Sequence, residues 1–401
     1  MTKHPLRNGL LAMFAAAVLA ACGGGGDASG PAPLPPSPSP AAGILGDGRL
    51  PELVEWARAS QNAPAMGVIV IRGGQVAERA VVGRRSMDGG PAATVDDRWH
   101  LGSITKSMTS TLAATMVEDG LIGWDTTPLE VWPELGNEIH ADYRNVTLRH
   151  FLSHTSGMKR DDAWSGSEDS ASGTLVQKRR EWAERMLSRP AEFSTGTFSY
   201  SNIGYVVAGA MLETRAGAPW EELLTTRVLT PLGMVHTGFG APGTHGQVDQ
   251  PLGHWSRNSG FDPVPVGPGD DNPKSMGPAG TAHTTLDDFA AYLQAHLAGE
   301  QGVGGLVSAQ SFATLHAPVA SNYALGWGAA PDLSPLGAGG NIHNGSNLRW
   351  FAVTWFSAQK DAGLLIVLNG GGERAEAAIG ALDLLLRERI AATPQTSGRL
   401  K

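Results

Sequence analysis

Met66-Gly67-Val68-Ile69-Val70-Ile71 is an unbroken apolar run that ends in the turn residues Arg72-Gly73-Gly74, and Leu364-Leu365-Ile366-Val367-Leu368 is its counterpart near the far end of the chain. Such short runs, rich in β-branched residues and bounded by turn signals, read as strands covered on both faces. A second strand follows the first at Val76 to Val82. The C-terminal run is preceded by Leu348 to Phe356, which alternates, and by the polar turn Ser357-Ala358-Gln359-Lys360-Asp361. Between the two groups, Ser103 to Glu118 carries Ile104, Met108, Leu112 and Met116 at i+4 spacing, with Gly120 as a stop, and predicts an amphipathic helix. From there to about residue 240 the chain reads mostly as helices and loops. A short amphipathic helix is predicted at Leu50 to Ala57 and a last helix at about Ala375 to Ala391. Strands at both ends around a helical middle imply an α/β fold, in which one sheet is assembled from N- and C-terminal segments and a helical region is inserted. Clefts form at such junctions.

The 401 residues, 41% hydrophobic and 17% charged, suffice for one large domain or two small ones. A net charge of −8 with only seven lysines argues against a nucleic-acid partner, because displacing counterions from phosphates needs clustered Lys and Arg. The one cysteine excludes an internal disulfide and a cysteine zinc cluster. No metal or organic cofactor is implied. Cys22 follows a basic start (Lys3, Arg7) and an apolar run from Leu10 to Ala21 that is short for a membrane span but suits a secretory signal. Leu19-Ala20-Ala21-Cys22 resembles the lipobox of bacterial lipoproteins, which predicts acylation of Cys22, a membrane anchor and, with Gly23 next, an outer-membrane protein facing the periplasm. Removing residues 1–21 leaves 28 basic against 38 acidic residues, a net −10. Residues 23–43 hold six Gly and six Pro in 21 positions and read as a tether. The expected organisation is therefore a signal over 1–21, a tether over 22–43, a folded domain over 44–392 with its helical insert at about 110–275, and a tail over 393–401.

Neither G-x-S-x-G nor H-E-x-x-H occurs, so an α/β-hydrolase elbow and a zincin helix are both excluded. S-x-x-K, which sets a serine and a lysine on one helical face within reach of each other, occurs at Ser103/Lys106, Ser156/Lys159 and Ser357/Lys360. Only Ser103 opens a long helix, where unpaired amides favour developing negative charge, and Gly102 before it leaves room for a substrate. A serine in that place serves equally as a simple N-cap. Two Y-x-N triplets compete as a source of a proton-relaying tyrosine. Tyr200-Ser201-Asn202 follows a turn and starts a helix, whereas Tyr143-Arg144-Asn145 precedes residues suited to ordinary packing. A phenol ionises near pH 10, so a tyrosine base needs a cation beside it, for which Lys106 is available. H-x-G occurs at His236-Thr237-Gly238, in a surface loop, and at His343-Asn344-Gly345, just before the alternating strand. There Gly345 would keep a groove open.

Ser103-Ile104-Thr105-Lys106, Tyr200-Ser201-Asn202 and His343-Asn344-Gly345 together resemble the serine β-lactamase and penicillin-binding protein superfamily, in its class C, D-alanyl-D-alanine peptidase and family VIII esterase branch. The likeness extends to Leu152-Ser153-His154-Thr155-Ser156-Gly157, Pro231-Leu232-Gly233-Met234, Pro278-Ala279-Gly280 and Tyr323-Ala324-Leu325-Gly326-Trp327-Gly328, and spans about residues 45–392. The resemblance implies a β-lactamase/transpeptidase-like fold, an antiparallel sheet flanked by N- and C-terminal helices. It implies that Ser103 attacks an acyl carbonyl, that Lys106 and Tyr200 handle its proton, and that water releases an acyl-serine. It further implies that Asn202 holds Lys106 and the substrate amide, that the amides of Ser103 and Ser346 bind the oxyanion, and that His343 stands where many β-lactamases carry lysine. His-x-Gly is more similar to the peptidase branch, Asn344 replaces a hydroxyl residue that often helps bind a substrate carboxylate, and no S-D-N triplet marks class A. The expected substrate is a D-Ala-D-Ala-type peptide or a β-lactam. The alternatives are a carboxylesterase acting on short acyl esters and a non-catalytic peptidoglycan-binding lipoprotein. No obligate protein partner is implied.

Overall fold

The computed structural model describes residues 39–161, 172–267 and 270–394. Cys22 and the signal lie outside the described residues, as does most of the tether. The first strands are β1 (Ala65–Arg72), β2 (Gln75–Gly83) and β3 (Trp99–His100), and β4 (Gly238–Phe239), β5 (Gly253–Arg257), β6 (Gly260–Val264) and β7 (Ala282–Thr284) follow the helical region. The last are β8 (Gly328–Ala329), β9 (Asn341–Ser346), β10 (Phe351–Ser357) and β11 (Ala362–Leu368). The main sheet runs β2-β1-β11-β10-β9-β8, with every neighbouring pair antiparallel. The two apolar runs meet at its centre, Met66 opposite Leu368 and Ile69 opposite Leu365.

Both faces of the sheet are covered, which is why its central strands show no polar face. Val68, Val70, Leu364, Ile366 and Trp355 pack into one core with the terminal helices α1 (Leu50–Ser60) and α7 (Glu373–Ala392). Ile69, Ile71, Leu365, Val367 and Phe356 pack into the other, beneath the helical region. That region includes α2 (Thr105–Glu118), α3 (Leu175–Leu187) and α4 (Asn202–Ala216), and is followed by α5 (Leu286–Glu300) and α6 (Ala309–His316).

Three expectations are corrected. The α2 helix is not amphipathic but buried on all sides, every residue from Thr105 to Met116 included. Its hydroxyls tolerate this because they bond to carbonyls close by: Thr105 to Gly102 O at 2.6 Å, Ser107 to Ile104 O at 2.8 Å and Thr109 to Pro278 O at 2.7 Å. The stretch expected to be the helical insert also contains a two-stranded sheet, β5 paired with β6. Finally, the strand expected from Leu348 begins at Phe351, because Leu348 adopts a left-handed backbone (φ 71°) in a turn. The residues before that turn form β9, so His343 and Gly345 lie within a strand, opposite Thr354 and Ala352, rather than ahead of one. Asn341-Ile342-His343-Asn344-Gly345-Ser346 has little intrinsic strand preference, and pairing with β10 and β8 imposes the conformation.

Candidate active site

A single 3₁₀ turn, Gly102–Ile104, precedes α2 and carries Ser103. It fits under β9 only because two glycines face each other. A Cβ on Gly102, whose φ is +50°, would run into the backbone at Gly345 and Ser346, and one on Gly345 would meet Leu101 O and come within 2.6 Å of Ser103 N. This close approach brings the backbone amide of Ser346 against Gly102 and that of Ser103 against Gly345. The first N–H groups of a helical turn have no partner within it, so they suit a developing oxyanion.

Lys106, one helical turn after Ser103, is fully buried. Its Nζ lies 3.0 Å from Ser103 Oγ, 2.7 Å from Asn202 Oδ1 and 2.6 Å from Ala279 O. The last two partners can only accept, and they take two N–H bonds. Ser103 Oγ can donate or accept, so a proton can pass between it and Nζ without breaking the other two contacts. Asn202 is held in turn, its Nδ2 donating to Asp161 Oδ1 at 2.7 Å. That bond fixes the amide so that its oxygen faces Lys106.

Tyr200 sits just ahead of α4, whose N-cap is Ser201, with Oγ accepting from Gly204 N at 3.0 Å. Two cations lie near its ring, Lys106 Nζ at 4.9 Å from the centroid and Arg160 Cζ at 5.5 Å. Two other tyrosines are close by but fully buried. Burial raises the pKa of Tyr205 and Tyr323 well above the ordinary phenol value, so they remain protonated donors, Tyr205 to Leu152 O at 2.5 Å and Tyr323 to His343 Nε2 at 2.9 Å. Tyr143 lies in the core of the helical region, its pKa raised to about 12 by burial. His236 is exposed. Ser156 and Lys159 lie in a loop, and Ser357 ends β10 with Oγ donating to Gly339 O at 2.6 Å. Of the S-x-x-K, Y-x-N and H-x-G alternatives, the fold brings one set together: Ser103, Lys106, Tyr200, Asn202, His343, Gly345 and Ser346.

His343 behaves differently from a groove-lining residue. It is 3% exposed, its Nδ1 donates to Asn344 O at 2.5 Å and its Nε2 accepts from Tyr323. Burial, reinforced by the nearby Lys106 charge, lowers its pKa to about 3, so the ring is neutral. Ser346 is likewise committed through its side chain, Oγ donating to Trp350 O at 2.8 Å and accepting from Leu348 N at 2.9 Å. Its backbone amide lies against Gly102, the residue before Ser103. Motif reading gave no role to His154, which lies in the quoted Leu152–Gly157 stretch. Its Nδ1 accepts from Ser201 N at 3.0 Å and its ring lies 4.1 Å from that of Tyr200, so it supports the tyrosine from behind. Burial keeps it neutral as well. Tyr323 and the Ala279 carbonyl also escaped assignment, although both lie in stretches that carry the family likeness.

With this geometry in place, comparison with known proteins decides the family. Residues 50–387 match the model of the Beta-lactamase family. The chain belongs to that family. Penicillin-binding protein 4 of Amycolatopsis lactamdurans is 29% identical over 282 residues, 68% of this chain and 71% of that protein. Unguisins hydrolase ungD' of Aspergillus campestris is 27% identical over 251 residues, 58% of this chain but only 46% of its own length. Among solved structures, the octameric penicillin-binding protein homologue from Pyrococcus abyssi superposes with a TM-score of 0.71 at 23% identity, covering 87% of this chain and 79% of that one. The D-alanine carboxypeptidase AmpC from Burkholderia cenocepacia gives 0.67 at 20% identity, covering 84% and 97%. The fold is thus that of β-lactamases and transpeptidases, and membership of the family supports a hydrolase of the serine type.

Proposed function

We propose that the protein is a serine hydrolase that forms an acyl-serine on an amide or ester substrate, a D-Ala-D-Ala-type peptide or a β-lactam in the first instance. The observation that carries this reading is the contact of Lys106 Nζ with Ser103 Oγ, with two further acceptors holding the amine in place. Ser103 Oγ attacks the acyl carbon and its proton passes to Lys106. The oxyanion forms against the amides of Ser103 and Ser346. The bond from carbon to the leaving nitrogen or oxygen then breaks, and the proton reaches the leaving group through Tyr200. Water next attacks the acyl-serine, returning a proton to Ser103 and releasing the acid. Neither nucleophile nor base needs a cofactor.

A second reading, a carboxylesterase acting on short acyl esters, is favoured by one observation. His343 is neutral, so β9 presents no cation there to a substrate carboxylate. The test is intact-mass analysis after exposure to a fluorophosphonate, a fluorescent penicillin and a p-nitrophenyl ester, with Ser103→Ala and Lys106→Arg in parallel. A Ser103-dependent penicillin adduct is expected for the peptidase reading, and ester turnover without that adduct for the esterase. Lys106→Arg should fold yet lose at least about 10²-fold in turnover, because a guanidinium does not give up its proton. No adduct and no turnover with any probe would leave a tethered peptidoglycan-binding module. Anchoring at an acylated Cys22, facing the periplasm from the outer membrane, completes the proposal. Cys22→Ser should then move the protein from the membrane fraction to the soluble fraction.

A further inference from the structure

Asp271 lies in the loop between β6 and the short helix Gly277–Gly280, and none of the motifs includes it. Its buried carboxylate collects three hydrogen bonds. Asn272 N donates to Oδ1 at 2.6 Å, Asn347 Nδ2 donates to Oδ1 at 2.7 Å, and His100 Nε2 lies between the two oxygens, 2.9 Å from Oδ1 and 3.0 Å from Oδ2. The roles at His100 follow from its other nitrogen. Gly102 N–H, which can only donate, points at His100 Nδ1 from 3.0 Å, so Nδ1 carries the lone pair and Nε2 the proton given to Asp271. The amide of Asn347 is oriented as firmly, because its Oδ1 accepts from the backbone N–H of Arg349 and of Trp350, each at 3.2 Å. His100 also stacks on Trp350, with ring centroids 5.4 Å apart. His100 and Asn347 are both buried.

One carboxylate is therefore bonded, through His100, to the residue before Ser103 and, through Asn347, to the residue after Ser346. We propose that Asp271, with His100 and Asn347, is a positioning clamp that sets the spacing of the Ser103 and Ser346 amides and so their fit to the oxyanion. The proposal rests on the acyl-serine reading above. The two amides sit on separate segments, a helical turn and a strand, and the glycine contact between those segments stops them from approaching further but does nothing to stop them from separating. The Asp271 bonds resist that separation. A displacement of about 1 Å at a reacting centre is enough to cost about 10²-fold in rate.

The test exchanges donor and acceptor across the pair. Asp271→Asn leaves one acceptor oxygen where two served, so either the N–H₂ of Asn347 or the N–H of His100 faces an amide N–H₂, and in Asn347→Asp two carboxylates face each other. The double variant restores one donor and one acceptor, with the amide oxygen introduced at position 271 still able to accept from His100. The backbone N–H of Asn272 is left facing an N–H₂, so recovery is expected to be incomplete. With p-nitrophenyl butyrate, each single variant should lose about 10–100-fold in kcat with KM within about threefold, and the double variant should return to within about tenfold of wild type. His100→Phe, which keeps the stacking on Trp350 and removes both hydrogen bonds, supplies an independent variant with the same expected loss should a single exchange fail to fold. Folded variants with kcat within threefold of wild type would overturn the clamp, as would a loss that the double exchange leaves unrepaired. A wild-type protein with no Ser103-dependent ester turnover or fluorophosphonate labelling would instead remove the acyl-serine reading itself.

Discussion

Gly345→Ala isolates the geometry of the site in one methyl group. The added Cβ would collide with Leu101 O and lie 2.6 Å from Ser103 N and 2.9 Å from Ile104 N. All three are backbone atoms, so no side chain can swing aside. Ordinary contacts of this kind are about 3.5 Å, so β9 and the Ser103 turn must separate by at least about 1 Å, and by more at Leu101 O. Two magnitudes follow. Overpacking of this kind costs about 1–3 kcal/mol of stability, which lowers the melting temperature by a few degrees. Moving the Ser103 and Ser346 amides apart by that distance should cost about 10²-fold in kcat, far more than so small a loss of stability explains. The assay is ester turnover and the rate of fluorophosphonate labelling, measured beside thermal unfolding. Gly380→Ala is the control, since a Cβ there meets nothing within 4 Å on helix α7. It should raise stability by about 0.5–1 kcal/mol and leave turnover unchanged. A Gly345→Ala protein with kcat within threefold of wild type would refute the inference that the two amides act together across this contact.

Two further outcomes test the scaffold. Arg179 of α3, fully buried, pairs with Glu213 of α4 and with Glu221 and donates to Ser275 O at 3.2 Å, so Arg179→Met should cost about 3–5 kcal/mol by stranding a buried carboxylate, measured by denaturant unfolding; a loss under 1 kcal/mol would show that the pair is dispensable. His154, His254, His283, His296, His316 and His343 all have pKa values lowered by burial, so the unfolded chain binds more protons than the native one as pH falls below about 6.5. Their contribution to stability is complete above pH 6.5 and is lost as pH drops through that value toward the lowered pKa values. Glu213, Glu300 and Glu376, raised by burial, act in the opposite sense over a smaller set of groups. Calorimetry should find a lower melting temperature at pH 5.5 than at pH 7.5, and an equal or higher one would contradict the balance.

Much of the fold was legible because its signals are local. Apolar runs bounded by turn residues gave β1 and β11, and i+4 spacing with a glycine stop gave α2, since backbone preference and burial agree in these segments. Ser103 and Lys106 were legible for a related reason, a spacing of three on a helix. β9 was not, because a strand built from Asn, His and Gly is set by its neighbours rather than by its own composition. The buried state of α2 was hidden as well, since the satisfaction of its hydroxyls depends on carbonyls such as Pro278 O, far away in the chain.

By itself, the sequence determined β1, β2, β11, the helix after Ser103 and the helices at both ends of the domain, and supplied three alternatives for the serine and lysine, two for the tyrosine and two for the histidine and glycine. Tertiary structure alone decided which of these meet. It also decided that His343 is a neutral, internally bonded ring, that Tyr200 rather than Tyr205 or Tyr323 has two cations at its ring, and that Asp271 links the segments on either side of the nucleophile. The physical reason is the range of the forces involved. Helix and strand preferences act over a few residues, whereas desolvation, hydrogen-bond partnership and close backbone approach depend on groups that only the folded chain brings within about 3 Å of one another.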